Sequence, residues 1–405
     1  MDVQHIPVQQ LTKRMIMKWC KWILLAVILV SCSNSKQEIE HDLITLKIDW
    51  DNVIDEIDYS PMVEDDVLMI PLETTDKSLI GEVSHLIYQN DLIYIADNLS
   101  KSIFVFDLSG KLKTKIRSVG SGPGEYVELN YFTVHGKEMV VMDIAIRKLL
   151  FYDENGNFIR DKDFLDIWGE DLYCIGDKLF LPNDSRSKSG YYHLFTIDLA
   201  DNDKYGMFLP FEKPKGEYGW GVNRYHSKLK DEALIWHWPY DTLYTVKGND
   251  VYPTYRIDLG DRLLPKEYRY RKGREALHIA FRDNYVTGIQ KVEQSDKYLF
   301  LLFGDSESDY ISVYNKVTGE LYTAKHLINS MLGKLLLQHG NTSFTIQDNK
   351  IIQCYNADYW SMFQLGDVLE TQSFYSESLK KRFVDLARSD MKETNPIIFI
   401  QELKK

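Results

Sequence analysis

The chain of 405 residues has only four cysteines and eleven prolines. So little cysteine excludes a disulfide-stapled scaffold, and no Cys/His spacing is that of a zinc site. Cys174 and Cys354 fall in separate repeats and are expected as two buried thiols. Long apolar runs are missing as well. The longest, residues 22–30 (WILLAVILV), has nine residues, against the roughly 20 that a membrane-spanning helix needs. Positive charge is short, 48 Lys and Arg against 60 Asp and Glu for a net charge of −12, which disfavours a nucleic-acid partner. The one dense basic stretch, residues 266–274 (KEYRYRKGR), reads as the solvated face of an inserted helix. Gly-x-Ser-x-Gly and His-Glu-x-x-His are both absent. Acids are too frequent to nominate a pair for glycoside hydrolysis, so no catalytic residue is assigned.

What is present is β-forming sequence with a repeat. Aromatic residues make up 13% of the chain and hydrophobic ones 44%, a composition that suits a globular β protein with a large core. Residues 92–126 hold one complete unit: runs at 92–96 and 102–106 flank a polar turn at Asp97-Asn98, and Asp107-Leu-Ser-Gly110 turns the chain into a third run at 112–116. The unit leaves through GSGPGEY (120–126), whose glycines and proline force a compact loop. The motif FVFDLSG at 104–110 is echoed at 150–156, 195–201, 244–250 and 312–319, with steps from Asp107 of 46, 45, 49 and 68 residues. A period near 45 with several short strands belongs to a β-propeller. Preceding strands at 92–96, 139–142, 178–181, 233–236, 298–303 and 350–354 imply six blades. The sixth lacks a clean closing echo, and residues 358–364 (DYWSMFQ) are expected in that place. The orphan strand 67–72 is expected to pair with the last strand, 396–403, so that both ends of the chain share a blade and close the ring. Helical inserts are expected at 265–281 and at 376–391, the second with Ser376 as N-cap and Leu379, Phe383, Leu386 and Ala387 on one stripe.

The first forty residues read as an address. Lys13, Arg14, Lys18 and Lys21 precede the apolar run, which ends in Leu29-Val-Ser-Cys32. This resembles the lipobox of a bacterial lipoprotein, which implies a signal peptide over 1–31, acylation of Cys32 and a tether over 32–42 before a propeller domain over 43–405. Removing four basic residues and Asp2 with the signal would take the net charge from −12 to −15. Ser33 after the Cys resembles an outer-membrane destination, periplasmic or cell-surface. With lipobox, repeat, GSGPGEY and the terminal NPIIFIQEL in hand, the chain resembles the six-bladed β-propeller lipoproteins common in Bacteroidota, distantly similar to NHL-repeat propellers. The likeness covers residues 67–403. It implies an all-β cell-envelope protein, sometimes associated with glycan uptake.

In a propeller, the loops joining second to third strands and those joining blades emerge on one face around the channel, the default binding site. That face is expected to collect Asp97, Asn98, Asp143, Asn183 and Asp184, then His237, Trp238, Tyr240 and Asp241. Asp305 and the group Asn356, Asp358, Tyr359 and Trp360 follow, with Arg117, Glu125 and Tyr126 from the glycine loop. Aromatic faces with acids and amides suit a sugar. Asp97, Asp143 and Asp305 equally fit turns that bond their own backbone, and Arg117 and Glu125 fit a pair across their loop. Trp220, flanked by glycines, is a candidate surface aromatic. The expected role is non-catalytic binding of a glycan or protein partner, without a cofactor. A lactonase-like enzyme with a central calcium near Asp143, Asn183 and Asp305, a glycan lyase or hydrolase, and a scaffold subunit are the alternatives.

Overall fold

The computed structural model describes residues 42–163, 169, 171–183, 191–200, 204–211, 225–237, 240–269, 273–337, 343–355, 370–388 and 394–405. Six small antiparallel sheets form a six-bladed β-propeller. Three strands, β1 (Ile44–Lys47), β2 (Ile54–Asp58) and β3 (Leu68–Pro71), precede the first blade. Blade one is β4 (His85–Gln89), β5 (Leu92–Asp97), β6 (Ser102–Asp107) and β7 (Leu112–Ile116). Blade two is β8 (Tyr131–His135), β9 (Glu138–Asp143), β10 (Lys148–Tyr152) and β11 (Phe158–Asp163). Blade three is β12 (Tyr173–Ile175), β13 (Lys178–Pro182), β14 (Tyr192–Asp198) and β15 (Tyr205–Pro210). Blade four is β16 (His226–Leu229), β17 (Glu232–Ile235), β18 (Thr242–Lys247) and β19 (Asp250–Asp258). Helices α1 (Lys266–Arg269) and α2 (Gly273–Arg282) then lead into blade five, which is β20 (Ile289–Gln294), β21 (Tyr298–Gly304), β22 (Asp309–Asn315) and β23 (Leu321–Asn329), with the short β24 (Leu335–Leu336) paired to β23. Blade six takes β25 (Ser343–Gln347), β26 (Lys350–Tyr355) and, after helix α3 (Glu377–Arg388), β27 (Ile397–Glu402).

Turn chemistry makes the repeat. The hairpins between first and second strands are two-residue turns, with consecutive positive φ at Asn90-Asp91 and again at Asp348-Asn349, the geometry whose twist matches the flanking strands. The echoed Asp serves the other hairpin. Asp107 Oδ1 accepts from the amides of Ser109 and Lys111, and Asp153 Oδ1 from those of Asn155 and Asn157, while Gly110 and Gly156 take positive φ. Asn315 repeats this with Val317 and Thr318.

Each sheet buries both faces against its neighbours. Six apolar clusters fill the six seams, from Tyr94 and Phe132 between blades one and two round to Phe104 and Ile352 between blades six and one. That is why the middle strands run almost unbroken in apolar residues, as in LIYIA of β5. The ring closes as expected: β3 pairs antiparallel with β27, Ile398 opposite Ile70. The third strand of blade six is β27, paired on its other side with β26. Residues 358–364, expected in that place, lie outside the described set. The segment between β26 and β27 contains α3, whose Phe383 packs on Phe399 and Tyr355 and whose Ser376 Oγ accepts from the Leu379 amide. The side chains of residues 386 and 387 are outside the described set. The acidic stretch after β1 is also more ordered than a linker. It contains β2, and β1 and β2 add as parallel fifth strands to the outer edges β19 and β23.

Cys174 and Cys354 are buried in blades three and six, each thiol pushed up to about 12 by burial. Arg269, from the basic stretch, is buried and donates from Nε to the Leu264 carbonyl at 2.7 Å.

Candidate functional site

Register decides what the loops present. Counted from Leu92, Glu138, Lys178 and Glu232, the first residues after the inner hairpins, the fifth residue on is Asp97, Asp143, Asn183 and His237. In blades one and two this position ties the incoming connector to the blade. Asp97 Oδ2 accepts from the Gly81 amide at 2.8 Å, and Oδ1 from Ser100. Asp143 Oδ2 accepts from Val127 and Glu128, and Oδ1 from Ala145 and Ile146, all with the carboxylate buried. Asp305, in blade five, accepts from the amides of Glu307 and Ser308 and lies 3.6 Å from Arg262. Backbone N–H groups engage both carboxylate oxygens of Asp97 and Asp143, whereas in Asp305 they engage only Oδ1, and Oδ2 accepts from the Tyr310 hydroxyl beside Arg262.

The glycine loop is a connector of the same kind. Arg117 donates from Nε to the Ser100 carbonyl at 3.1 Å, whereas Glu125 accepts from the Gly122 amide at 2.8 Å, so the two hold different parts of the loop. A Cβ on Gly120 would stand 2.0 Å from Glu125 Oε2, so a larger residue there would displace the Glu125 carboxylate. Tyr126 is fully buried and donates its hydroxyl to the Lys101 carbonyl.

Between the connectors of blades one and two lies a cavity of about 560 Å³, open to solvent at the ends of the innermost strands. Its lining comes from two equivalent segments 46 residues apart: Glu82, Ser84 and His85 before and in β4, and Glu128, Asn130 and Tyr131 before and in β8. Ser84 Oγ accepts from the Asn98 amide and Asn130 Oδ1 from that of Ile144, again 46 apart, so the repeat holds both walls in register. Lys101 donates to the Val127 carbonyl at 2.8 Å, and Glu128 accepts from Asn130. Glu82, Asn98 and Glu128 are exposed on the cavity wall. The lining is acid, amide, hydroxyl and amine with few apolar groups.

The remaining candidates gather between blades three and four. His237, buried, stacks on His193 with ring centroids 4.1 Å apart, and His193 stacks on Phe211 at 4.2 Å. Tyr240 meets the His193 ring edge-on, and its amide donates to the His237 carbonyl. Burial holds the His193 imidazole down to about 4, although its Nδ1–H donates to the Asn183 carbonyl. Burial, then the neighbouring His193, drives His237 well below the usual value. Neither ring nitrogen of His237 has a hydrogen-bond partner among the described residues. Asp241 accepts from the Thr242 hydroxyl and lies 3.5 Å from Arg256, outside the stack. Cys32, Asp184, Trp220, Trp238, Asn356, Asp358, Tyr359 and Trp360 lie outside the described residues.

Lower in the channel, side chains of the innermost strands bond the open strand edges. Gln347 exchanges bonds with Tyr88 and Leu86, Glu293 accepts from Ile346, and Gln294 donates to Ser227. Asp171 accepts from the Tyr225 amide and, at 2.5 Å, from His226 Nδ1. A cavity of only about 60 Å³ marks the far mouth, lined in part by Tyr173, His226 and Lys230.

Residues 43–402 match the family described as a domain of unknown function, DUF4934. The chain belongs to the DUF4934 family. Among solved structures, this DUF4934 chain is similar to a putative exported protein from Bacteroides fragilis, at 19% identity and a TM-score of 0.67 over 90% of this chain and 100% of that one. It is also similar to a DUF4221-family protein from Bacteroides vulgatus, at 12% identity and a TM-score of 0.49 over 85% and 99%. BamB from Moraxella catarrhalis matches at 10% identity and a TM-score of 0.39 over 83% and 98%. No curated protein matches.

Of the site, the sequence pointed to Asn98 in the cavity wall but missed Glu82, Ser84, Lys101, Glu128 and Asn130. The signal was available: Glu-Val-Ser-His at 82–85 and Glu-Leu-Asn-Tyr at 128–131 recur at the blade spacing.

Proposed function

We propose that this DUF4934 protein is a cell-envelope binding propeller that holds a hydroxyl-rich ligand, a glycan, in the cavity between blades one and two, without catalysing its conversion. The observation that carries this reading is the cavity itself, about 560 Å³ with paired glutamates and amides and little apolar wall. A pocket for an apolar ligand is lined the other way, with a few polar groups set among hydrophobic ones. The exported relative and the lipobox-like segment ending at Cys32 support an envelope location with a lipid anchor.

The test is thermal unfolding of the full chain carrying Cys32→Ser against a panel of neutral, acidic and amino-sugar oligosaccharides. A ligand bound only by the folded state raises the midpoint with concentration. The expected result is a rise with at least one sugar class that disappears in the Glu82→Gln/Glu128→Gln variant. A rise that survives in this variant, or none at millimolar sugar, refutes the cavity as a glycan site. Cys32→Ser is itself expected to move the protein from the membrane fraction to the soluble fraction.

A further inference from the structure

We propose that the cavity between blades one and two takes an oligosaccharide with free amines, a run of two or more amino-sugar units, in preference to neutral or acidic sugars. The inference rests on the glycan reading above and adds to it the charge and the repeat of the ligand. Two carboxylates, Glu82 and Glu128, stand exposed on the cavity wall, and among the described residues neither is paired with a cation. Glu128 Oε2 accepts from a neutral donor, Asn130 Nδ2 at 3.1 Å, which leaves its charge uncancelled. Lys101 is the one lysine or arginine of the lining, and its Nζ is taken by the Val127 carbonyl. The acidity belongs to this end of the channel: the cavity at the far mouth is lined by Lys228 and Lys230 with Asp348 as its one acid.

Charge chooses the kind of sugar. A ligand entering the cavity strips water from both carboxylates, and a charge taken out of water is costly unless it is paired. A neutral hydroxyl donates a hydrogen bond but leaves the two like charges uncompensated. A protonated amine supplies the bond and the opposite charge together, and such charge-assisted bonds are the stronger ones. A uronic or sulfated sugar would bring a third negative charge to a wall whose lysine is already engaged.

The repeat chooses its length. Glu82 and Ser84 lead into β4 as Glu128 and Asn130 lead into β8, 46 residues later, so adjacent blades present an acid and a small polar side chain twice. A single amine meets one of these pairs. A chain of amino sugars meets both, and the second contact is made without a second loss of translational freedom. The volume of about 560 Å³ falls within the roughly 300–1,000 Å³ of pockets that enclose small molecules, large enough for more than one ring.

Titration calorimetry of the full chain carrying Cys32→Ser, at pH 6 and low salt, compares a glucosamine tetramer with its fully N-acetylated counterpart, whose units carry no charge. The expected result is at least tenfold tighter binding of the free amine, a margin that shrinks as salt rises and disappears at pH 9, where the sugar amine has lost its proton. Glu82→Gln and Glu128→Gln should each remove roughly threefold of the margin and together all of it, at an unchanged melting midpoint. Glucosamine itself should bind at least tenfold more weakly than the tetramer. Equal binding of the two tetramers overturns the amine preference, and leaves the glycan site standing if the double variant abolishes both. Binding of neither tetramer overturns both readings. A margin that survives the double variant, or spermidine bound as tightly through the same two glutamates, overturns the amino-sugar proposal, since the cavity would then read charge alone or not at all.

Discussion

Acidification should loosen the seam between blades three and four before it touches the rest of the ring. His193 is held at about 4 by burial, against about 6.5 for an unfolded histidine. Between these values the unfolded chain binds a proton that the folded chain refuses, so stability is level above pH 6.5 and falls as the pH drops towards 4. The full difference corresponds to about 3 kcal/mol, of which about 2 kcal/mol is lost by pH 5. His237, shifted in the same direction, adds to the loss. The carboxylates held low by hydrogen bonds or ion pairs, among them Asp58, Glu138 and Asp153, act elsewhere on the scale. Their stabilisation is complete above the usual carboxylate range and fades only below about pH 4.5. Urea midpoints at pH 8, 6.5, 5.5 and 5 for the wild type and His193→Phe isolate the effect. Phenylalanine keeps a flat ring between Phe211 and His237 but cannot titrate. Between pH 8 and 5 the wild type should lose about 2 kcal/mol more than the variant. Equal losses in both proteins would refute the claim that His193 is folded in its neutral form.

Two further outcomes follow from the connectors. Asp143→Ala removes the acceptor shared by the amides of Val127, Glu128, Ala145 and Ile146. It should cost roughly 2–4 kcal/mol in urea unfolding, with Asp143→Asn costing less because one acceptor oxygen remains. Gly110 and Gly156 hold nearly the same φ, +82° and +83°, but a Cβ on Gly110 would meet the Pro71 carbonyl oxygen at 2.2 Å, whereas on Gly156 it would first meet the Thr114 methyl at 3.1 Å. Alanine at either position pays the strain of a left-handed backbone, about 1 kcal/mol. Only Gly110→Ala also pushes β3 from the closing blade, so its loss in thermal unfolding should exceed that of Gly156→Ala by about 1–2 kcal/mol.

The blade count was legible because it rests on turn chemistry that is local in sequence. An Asp that bonds the amides two and four residues on, followed by a glycine at positive φ, leaves the same mark wherever it occurs, and the apolar strands beside it are long enough to read. The closing pair β3 and β27 was legible for a different reason: each is a strongly apolar strand that its own neighbourhood leaves without a partner. Blade six was harder to read because α3 and its flanking segment separate β26 from β27, placing the third strand far beyond the usual spacing. β2 was hidden by its composition, IDEID, since a strand on an outer edge keeps its charges in water and buries little. The cavity was hidden in another way. Glu82 and Glu128 stand in connectors, where acids are ordinary, and nothing local distinguishes them from solvated loop residues. What distinguishes them is the 46-residue step they share with Asp97 and Asp143, because one repeat places a structural carboxylate behind the connector and an exposed one on its face. In a propeller, then, the period that reveals the fold also sorts the acids. An acid at the end of a second strand is engaged by backbone amides, whereas its partner in the following blade's connector is left facing solvent, able to meet a ligand.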